Sequence, residues 1–206
     1  MAAADDWTVF PCKGLGKLKF GMSPAQVDAL SDTYGAVTGR GNNRAPDDIL
    51  RDTLEKFGGA MSEEEKQTLI AVYAESGPSA DSVTETRGNP GLVLGYVADR
   101  LVEIMPAKKQ RPLLLDGKDM LSLSALEALV LLERLNGGPG RYANTGAAFD
   151  KLAISVEGVC VTDRVAGVRA LDEADERFQG RTVSLRQTPY LPEGEMDQFI
   201  VHSVLG

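Results

Sequence analysis

An α+β fold is predicted for this 206-residue chain: two small lobes, each an antiparallel sheet with helices packed on one face. Three stretches predict it. From Gly14 to Leu30, a short strand meets a tight turn and a capped helix. From Leu92 to Met105, two apolar runs flank Ala98-Asp99-Arg100, the signature of a hairpin. After Ser124, one long apolar helix leads into a series of short strand-like runs.

In the first stretch, Leu18 and Phe20 alternate with Lys17 and Lys19, as on a strand with one wet face. Gly21 ends the strand. Ser23 is a candidate N-cap, Pro24 suits the first helical position, and Gln26 completes a capping box. Before it, Trp7 to Phe10 reads as a strand stopped by Pro11. After it, Tyr34 to Val37 reads as a short strand and Gly39 to Arg44 as a polar loop. A helix is expected from Pro46, with Ile49, Leu50, Leu54 and Phe57 on its buried face. Ser62-Glu63-Glu64-Glu65 opens a second, making a helix pair with an acidic outer face that includes Asp47, Asp48 and Glu64. Ser76 to Asn89 is rich in Gly, Ser, Thr and Pro and reads as a loop. Pro106 to Gln110 is a polar connector, which divides the chain into lobes at 1–106 and 111–206.

In the second lobe, Pro112 to Leu115 reads as a strand turned at Asp116-Gly117. Ser124 and Glu127 form another capping box, and Asn136-Gly137-Gly138-Pro139 ends the helix. Phe149–Ile154, Val159–Val161, Val165–Leu171, Thr182–Leu185 and Phe199–Leu205 read as strands of a meander. Phe20-Gly21-Met22-Ser23 and Met120-Leu121-Ser122-Leu123-Ser124, each followed by a helix, make a faint internal repeat.

The charge balance narrows the function. There are 22 Lys and Arg against 30 Asp and Glu, a formal net charge of −8. Binding to a duplex backbone needs clustered cations, so a nucleic-acid partner is not expected. The same charge draws in a basic partner protein. The longest apolar run, Ala128 to Leu132, is too short for a bilayer span. Residues 1–6 lack the basic and apolar segments of a signal peptide, so a cytoplasmic location is expected.

Candidate chemistry is sparse. Gly14-Leu15-Gly16-Lys17 lacks the four-residue spacing and the Ser or Thr of a phosphate loop. His202 is the one histidine; between Val201 and Val204 it reads as a strand residue. Cys12 and Cys160 stand far apart, and Cys160 reads as a buried small apolar residue. No metal or cofactor is expected, and a binding protein is favoured over an enzyme. Asp172-Glu173-Ala174-Asp175-Glu176 puts four acids in five residues. It reads either as a solvated loop or as a partner contact. The candidate partner-binding residues are therefore Asp172, Glu173, Asp175 and Glu176, with Asp47, Asp48 and Glu64.

Gly21-Met22-Ser23 followed by Val27 resembles the G-M-[ST]-x-x-x-V helix opening of small repeat modules. These occur in β-lactamase-inhibitor-like proteins and in outer-membrane assembly lipoproteins. The hairpin from Leu94 through Arg100-Leu101-Val102-Glu103-Ile104 is similar to theirs, and both features resemble bacterial immunity proteins of interbacterial toxin systems. The stretch from Leu115 to Val156 looks like the continuation in such proteins. The lipoprotein branch carries a signal peptide and a lipidation cysteine, and neither is expected at the start of this sequence, a departure from that branch. The resemblance implies a short helix pair packed on an antiparallel sheet. Its functional implication is a cytosolic immunity protein that occludes the active or substrate-binding site of a cognate toxin. Two other functions stay open: an enzyme using carboxylates, with or without a divalent metal, and a regulatory module that binds a small molecule or peptide.

Overall fold

The computed structural model describes residues 4–42, 54–57, 59, 61–68, 82–88, 91–106, 111–192 and 194–205. The chain is α+β, built on antiparallel strands. It opens with a 3-10 turn, Ala4–Trp7, then β1 (Val9–Phe10), β2 (Gly14–Leu15) and β3 (Leu18–Lys19), which form a small sheet. Helices α1 (Pro24–Asp28) and α2 (Ser31–Tyr34) follow. Then come β4 (Val37–Asn42), β5 (Ser82–Gly88), β6 (Gly91–Val97) and β7 (Arg100–Pro106). The second half repeats the order. A hairpin, β8 (Leu114–Leu115) with β9 (Lys118–Asp119), precedes helix α3 (Ala125–Asn136). Strands β10 (Gly140–Ala143), β11 (Gly146–Phe149) and β12 (Ile154–Glu157) come next. A separate hairpin, β13 (Cys160–Asp163) with β14 (Gly167–Ala170), and the short helix α4 (Glu176–Gln179) intervene before β15 (Thr182–Arg186) and β16 (Ile200–His202).

Each half thus supplies one block of antiparallel strands, and the blocks join. The main sheet runs β16-β10-β11-β12-β15-β7-β6-β5-β4. The seam is β15 against β7, with Leu185 opposite Ile104 and Arg186 opposite Glu103. Side chains on directly opposed residues share a face. Tracing the pairs puts Tyr142, Phe149, Ile154, Val156, Val183, Leu185, Ile104, Leu94 and Tyr96 on one face, all buried in one continuous core.

Local chemistry explains the helices. Both capping boxes form: Ser23 with Gln26, and Ser124 with Glu127. Gly137 closes α3 in the left-handed conformation. Leu129 and Leu132 of α3 are fully buried. The helix turns Glu133 inward to accept hydrogen bonds from the Ser203 hydroxyl and, at 2.7 Å, from Val204 N–H, so α3 holds the chain end. In the first half, Arg87 of β5 is fully buried. It donates to Gly35 O, Glu85, Asp28 and Ser31 at 2.8–3.0 Å, which fixes α1 and α2 onto the core face. Gly16 cannot carry a side chain, because a Cβ there would stand 2.2 Å from Asp6 O and 2.5 Å from the Tyr34 hydroxyl. Gly16, beside Lys17, serves this close approach, while Gly14 makes room for Leu18 O.

Several expectations are corrected. Within the expected loop at Ser76–Asn89, Ser82–Gly88 is a strand. Its alternation is carried by Glu85 and Arg87, charged residues that face inward as a pair. Gly39 to Asn42 is edge strand rather than loop, and Tyr34 closes α2. An edge strand hydrogen-bonds to one neighbour and needs no apolar alternation. Phe149–Ile154 is the turn between β11 and β12. Leu152 and Ala153 lie buried in it, and Ala153 has a φ of 50°. Val165 sits in a turn closed by Asp163, whose carboxylate accepts from Val165 and Ala166 N–H at 2.8 and 2.7 Å. Strand β10 carries no apolar run in its sequence, Gly-Arg-Tyr-Ala.

Of the expected helix pair, residues 54–57 and 63–68 are helical; Phe57, expected on a buried face, is 62% exposed. Asp47, Asp48, Ile49 and Leu50 lie outside the described residues. Among those described, no helix is long and apolar enough to cross a membrane.

Candidate binding surface

The second face of the sheet is where polar and apolar side chains meet water. One row of directly opposed residues crosses it: Val201, Arg141, Ala148, Ser155 and Ser184. A second continues through Arg186, Glu103, Gly95, Thr84 and Gly41. The residues are small except for three charges. Arg186 donates from Nε and Nη2 to Glu103 Oε1 at 2.7 and 2.6 Å, and the Ser184 hydroxyl donates to the same oxygen. Gly95 makes this possible: a Cβ there would sit 3.1 Å from the Glu103 Cβ. Glu103 therefore lies against the seam as half of a neutral pair.

The segment from Gln187 to Phe199 crosses one end of this face. Arg141 holds it down. Its guanidinium forks onto Asp150 at 2.6 and 2.9 Å, donates to Tyr190 O, and lies 4.9 Å from the Phe199 ring centroid. Arg186 lies 4.3 Å from the Tyr190 ring. Ala148 is buried beneath this crossing. Away from the crossing the face opens: Val93 pairs with Met105, Val97 is 42% exposed, and Leu191 on the crossing's margin is 57% exposed.

Under the crossing is a pocket of about 120 Å³, lined by Ala143, Asn144, Glu157, Tyr190, Glu195, Gln198 and Phe199. Glu157 lies across Gly146, where a Cβ would meet its carboxylate oxygens at 2.3 and 2.6 Å. Burial of part of this side chain raises its pKa above the ordinary carboxylate value; a hydrogen bond from the Thr145 hydroxyl works the other way. Small-molecule sites usually measure about 300–1,000 Å³, so this pocket suits one chemical group rather than a whole metabolite. Its lining holds no histidine, cysteine, serine or lysine. His202 lies elsewhere, edge-on to Tyr142. Among the described residues, no three His, Cys, Asp or Glu side chains are grouped to hold a metal ion.

The acidic candidates from the sequence are spread over separate elements. Glu64 is exposed in the 63–68 helical segment, which Ser62 and Glu65 cap. Asp172, Glu173, Asp175 and Glu176 stand together before and within α4, and two of the four are used by the fold. Asp172 accepts from Ala174 N–H, and Asp175 caps α4 and pairs with Arg177 at 2.6 Å. Arg177 holds the Asp175 carboxyl down at about 2. Glu173 and Glu176 project without a side-chain hydrogen bond among the described residues. Neither the seam pair nor the pocket was foreseen. Tyr190 and Leu191, apolar within a Pro- and Gly-rich stretch, were the available signal.

A scan against protein-family models finds no match, and searches of curated proteins and of solved structures find no significant match.

Proposed function

We propose that the chain is a cytosolic immunity protein that binds a cognate bacterial toxin and occludes its active or substrate-binding site. One observation carries this reading. Helices α1, α2 and α3 pack on the core face, while the other face keeps Val93, Met105, Val97 and Leu191 at or near water. This face leaves exposed apolar side chains available for a protein contact. Its apolar side chains would supply the central anchors, and the net charge of −8 would speed encounter with a basic cleft. The resemblance of the Gly21–Val27 opening and of the β6–β7 hairpin to immunity proteins supports the same class.

The test begins with the neighbouring reading frame. The reading expects a large secreted protein with a toxic C-terminal domain there, and co-expression with this chain should restore growth. Val97→Arg with Leu191→Arg should abolish protection, since surface changes of this kind move stability by only about 0.5 kcal/mol. Because Asp175 caps α4, the acids to reverse are Glu173 and Glu176 in one set and Asp48 and Glu64 in another. Either set should slow association at low salt, with the effect shrinking as screening shortens to a Debye length of about 8 Å. A metabolic operon, or full protection by the apolar double variant, would remove this reading.

A further inference from the structure

We infer that the pocket under the Gln187–Phe199 crossing is a receptor for one cationic side chain, the lysine ammonium or arginine guanidinium of a partner protein. The inference rests on the binding reading above and names what the partner presents at this end of the face. Four observations carry it. The formal charges in the lining are both negative, Glu157 and Glu195. Neither makes an ion pair among the described residues, and the Asn144 and Gln198 side-chain amides make no hydrogen bond there; the sole partner of this polar set is the Thr145 hydroxyl on Glu157. The two nearby guanidiniums are already neutralised, Arg141 by Asp150 and Arg186 by Glu103. The bordering rings, Tyr190 and Phe199, each have an internal guanidinium over one face, at 4.3 and 4.9 Å, and aromatic faces attract cations.

Size and desolvation agree. A space of about 120 Å³ admits a head group and its last methylenes. Part of the Glu157 side chain is desolvated although the residue keeps exposed surface, and that partial burial raises its pKa. An ammonium or guanidinium placed there would supply a charge partner through charge-assisted hydrogen bonds. Carboxylates and amides lining one small space beside two aromatic rings have no comparable fit to an anion or a neutral chain.

The experiment needs no toxin. Acetyl-lysine methylamide and acetyl-arginine methylamide are titrated into the whole chain. Carboxylate resonances of Glu157 and Glu195 and ring resonances of Tyr190 and Phe199 are followed by NMR. Saturable shifts of these four residues are expected with both cations, and none with the norleucine analogue. Glu157→Gln with Glu195→Gln should weaken binding by at least roughly tenfold, the loss expected for hydrogen bonds to a charged group. Putrescine tests for a free amine as the natural ligand; tighter binding of putrescine than of either capped amino acid would overturn the side-chain assignment. No saturable shift, an equal response to norleucine, or unchanged binding by the double variant would overturn the pocket itself. The outcomes separate from the toxin test. Cation binding without protection removes the immunity reading and leaves the pocket. Full protection by the Glu157→Gln, Glu195→Gln protein removes the pocket as an anchor and leaves the immunity reading.

Discussion

Asp175 and Glu85 each take their role from an arginine partner: Arg177 two residues on, and Arg87 within the same strand. Asp175 sits in a run of four acids, yet its carboxylate accepts from Arg177 N–H at 2.9 Å and pairs with the Arg177 guanidinium. These contacts, the side chain first and the backbone second, hold it at about 2 against an ordinary 3.8. A depressed carboxylate stabilises the fold fully above about 3.8, and that contribution is lost as pH falls towards 2. Asp175 is half-buried and its partner Arg177 is exposed, so solvent screens the pair and the effect on stability is small. The titration itself is the measurement. Carboxylate NMR should place Asp175 near 2, and Arg177→Ala should move it up towards 3.8. A midpoint near 3.8 in the unaltered protein would show that the pair does not form in solution. Glu85 is the inward counterpart: 1% exposed, with Arg87 at 2.9 Å, it makes a strand look like a loop.

Among the elements, α3 is the one whose sequence and packing agree throughout. Its capping box, its left-handed Gly137 and its apolar positions all point to one buried helix. Leu129 and Leu132 are fully buried, while Leu126 on the same helix is 53% exposed. Leu129→Ala or Leu132→Ala should cost about 2–5 kcal/mol, the transfer and cavity cost of a core leucine. Leu126→Ala should cost less than about 0.5 kcal/mol. Denaturant midpoints measured by circular dichroism distinguish the two cases, and equal midpoints for all three variants would contradict this packing. The repeat that was faint in sequence is clear at this scale: hairpin, capped helix, then strands, in each half.

In the molecule as a whole, the β7–β15 seam decides how the halves behave. Leu185 and Ile104 meet there in the core, so unfolding either block exposes the edge and the apolar face of the other. A shared core and a shared sheet predict one cooperative transition. Trp7, the one tryptophan, is in the first half, buried at 8% exposure. Its fluorescence and the far-UV circular dichroism should therefore give the same denaturant midpoint. Leu129→Ala, in the second half, should lower the Trp7 midpoint as much as the dichroism midpoint. Two separated transitions would mean that the seam carries no coupling.

Local rules made part of this protein readable from its residues. Ser23 with Gln26, Ser124 with Glu127, the Ala98-Asp99 turn and the Asp116-Gly117 turn each depend on a few neighbouring atoms, and all four took the form expected. The α+β class followed from them. Tertiary structure decided the rest because the relevant partners are distant along the chain. Arg87 meets Asp28 across 59 positions, Arg186 meets Glu103 across 83, and Arg141 holds Tyr190 across 49. Strand β10 and the edge strand β4 are specified by pairing with a neighbour rather than by their own alternation. The pocket is made by a turn, a strand end and a crossing segment, none of which carries a motif. Contacts between remote segments arise from the folded backbone's geometry, and short-range periodicity holds no record of them.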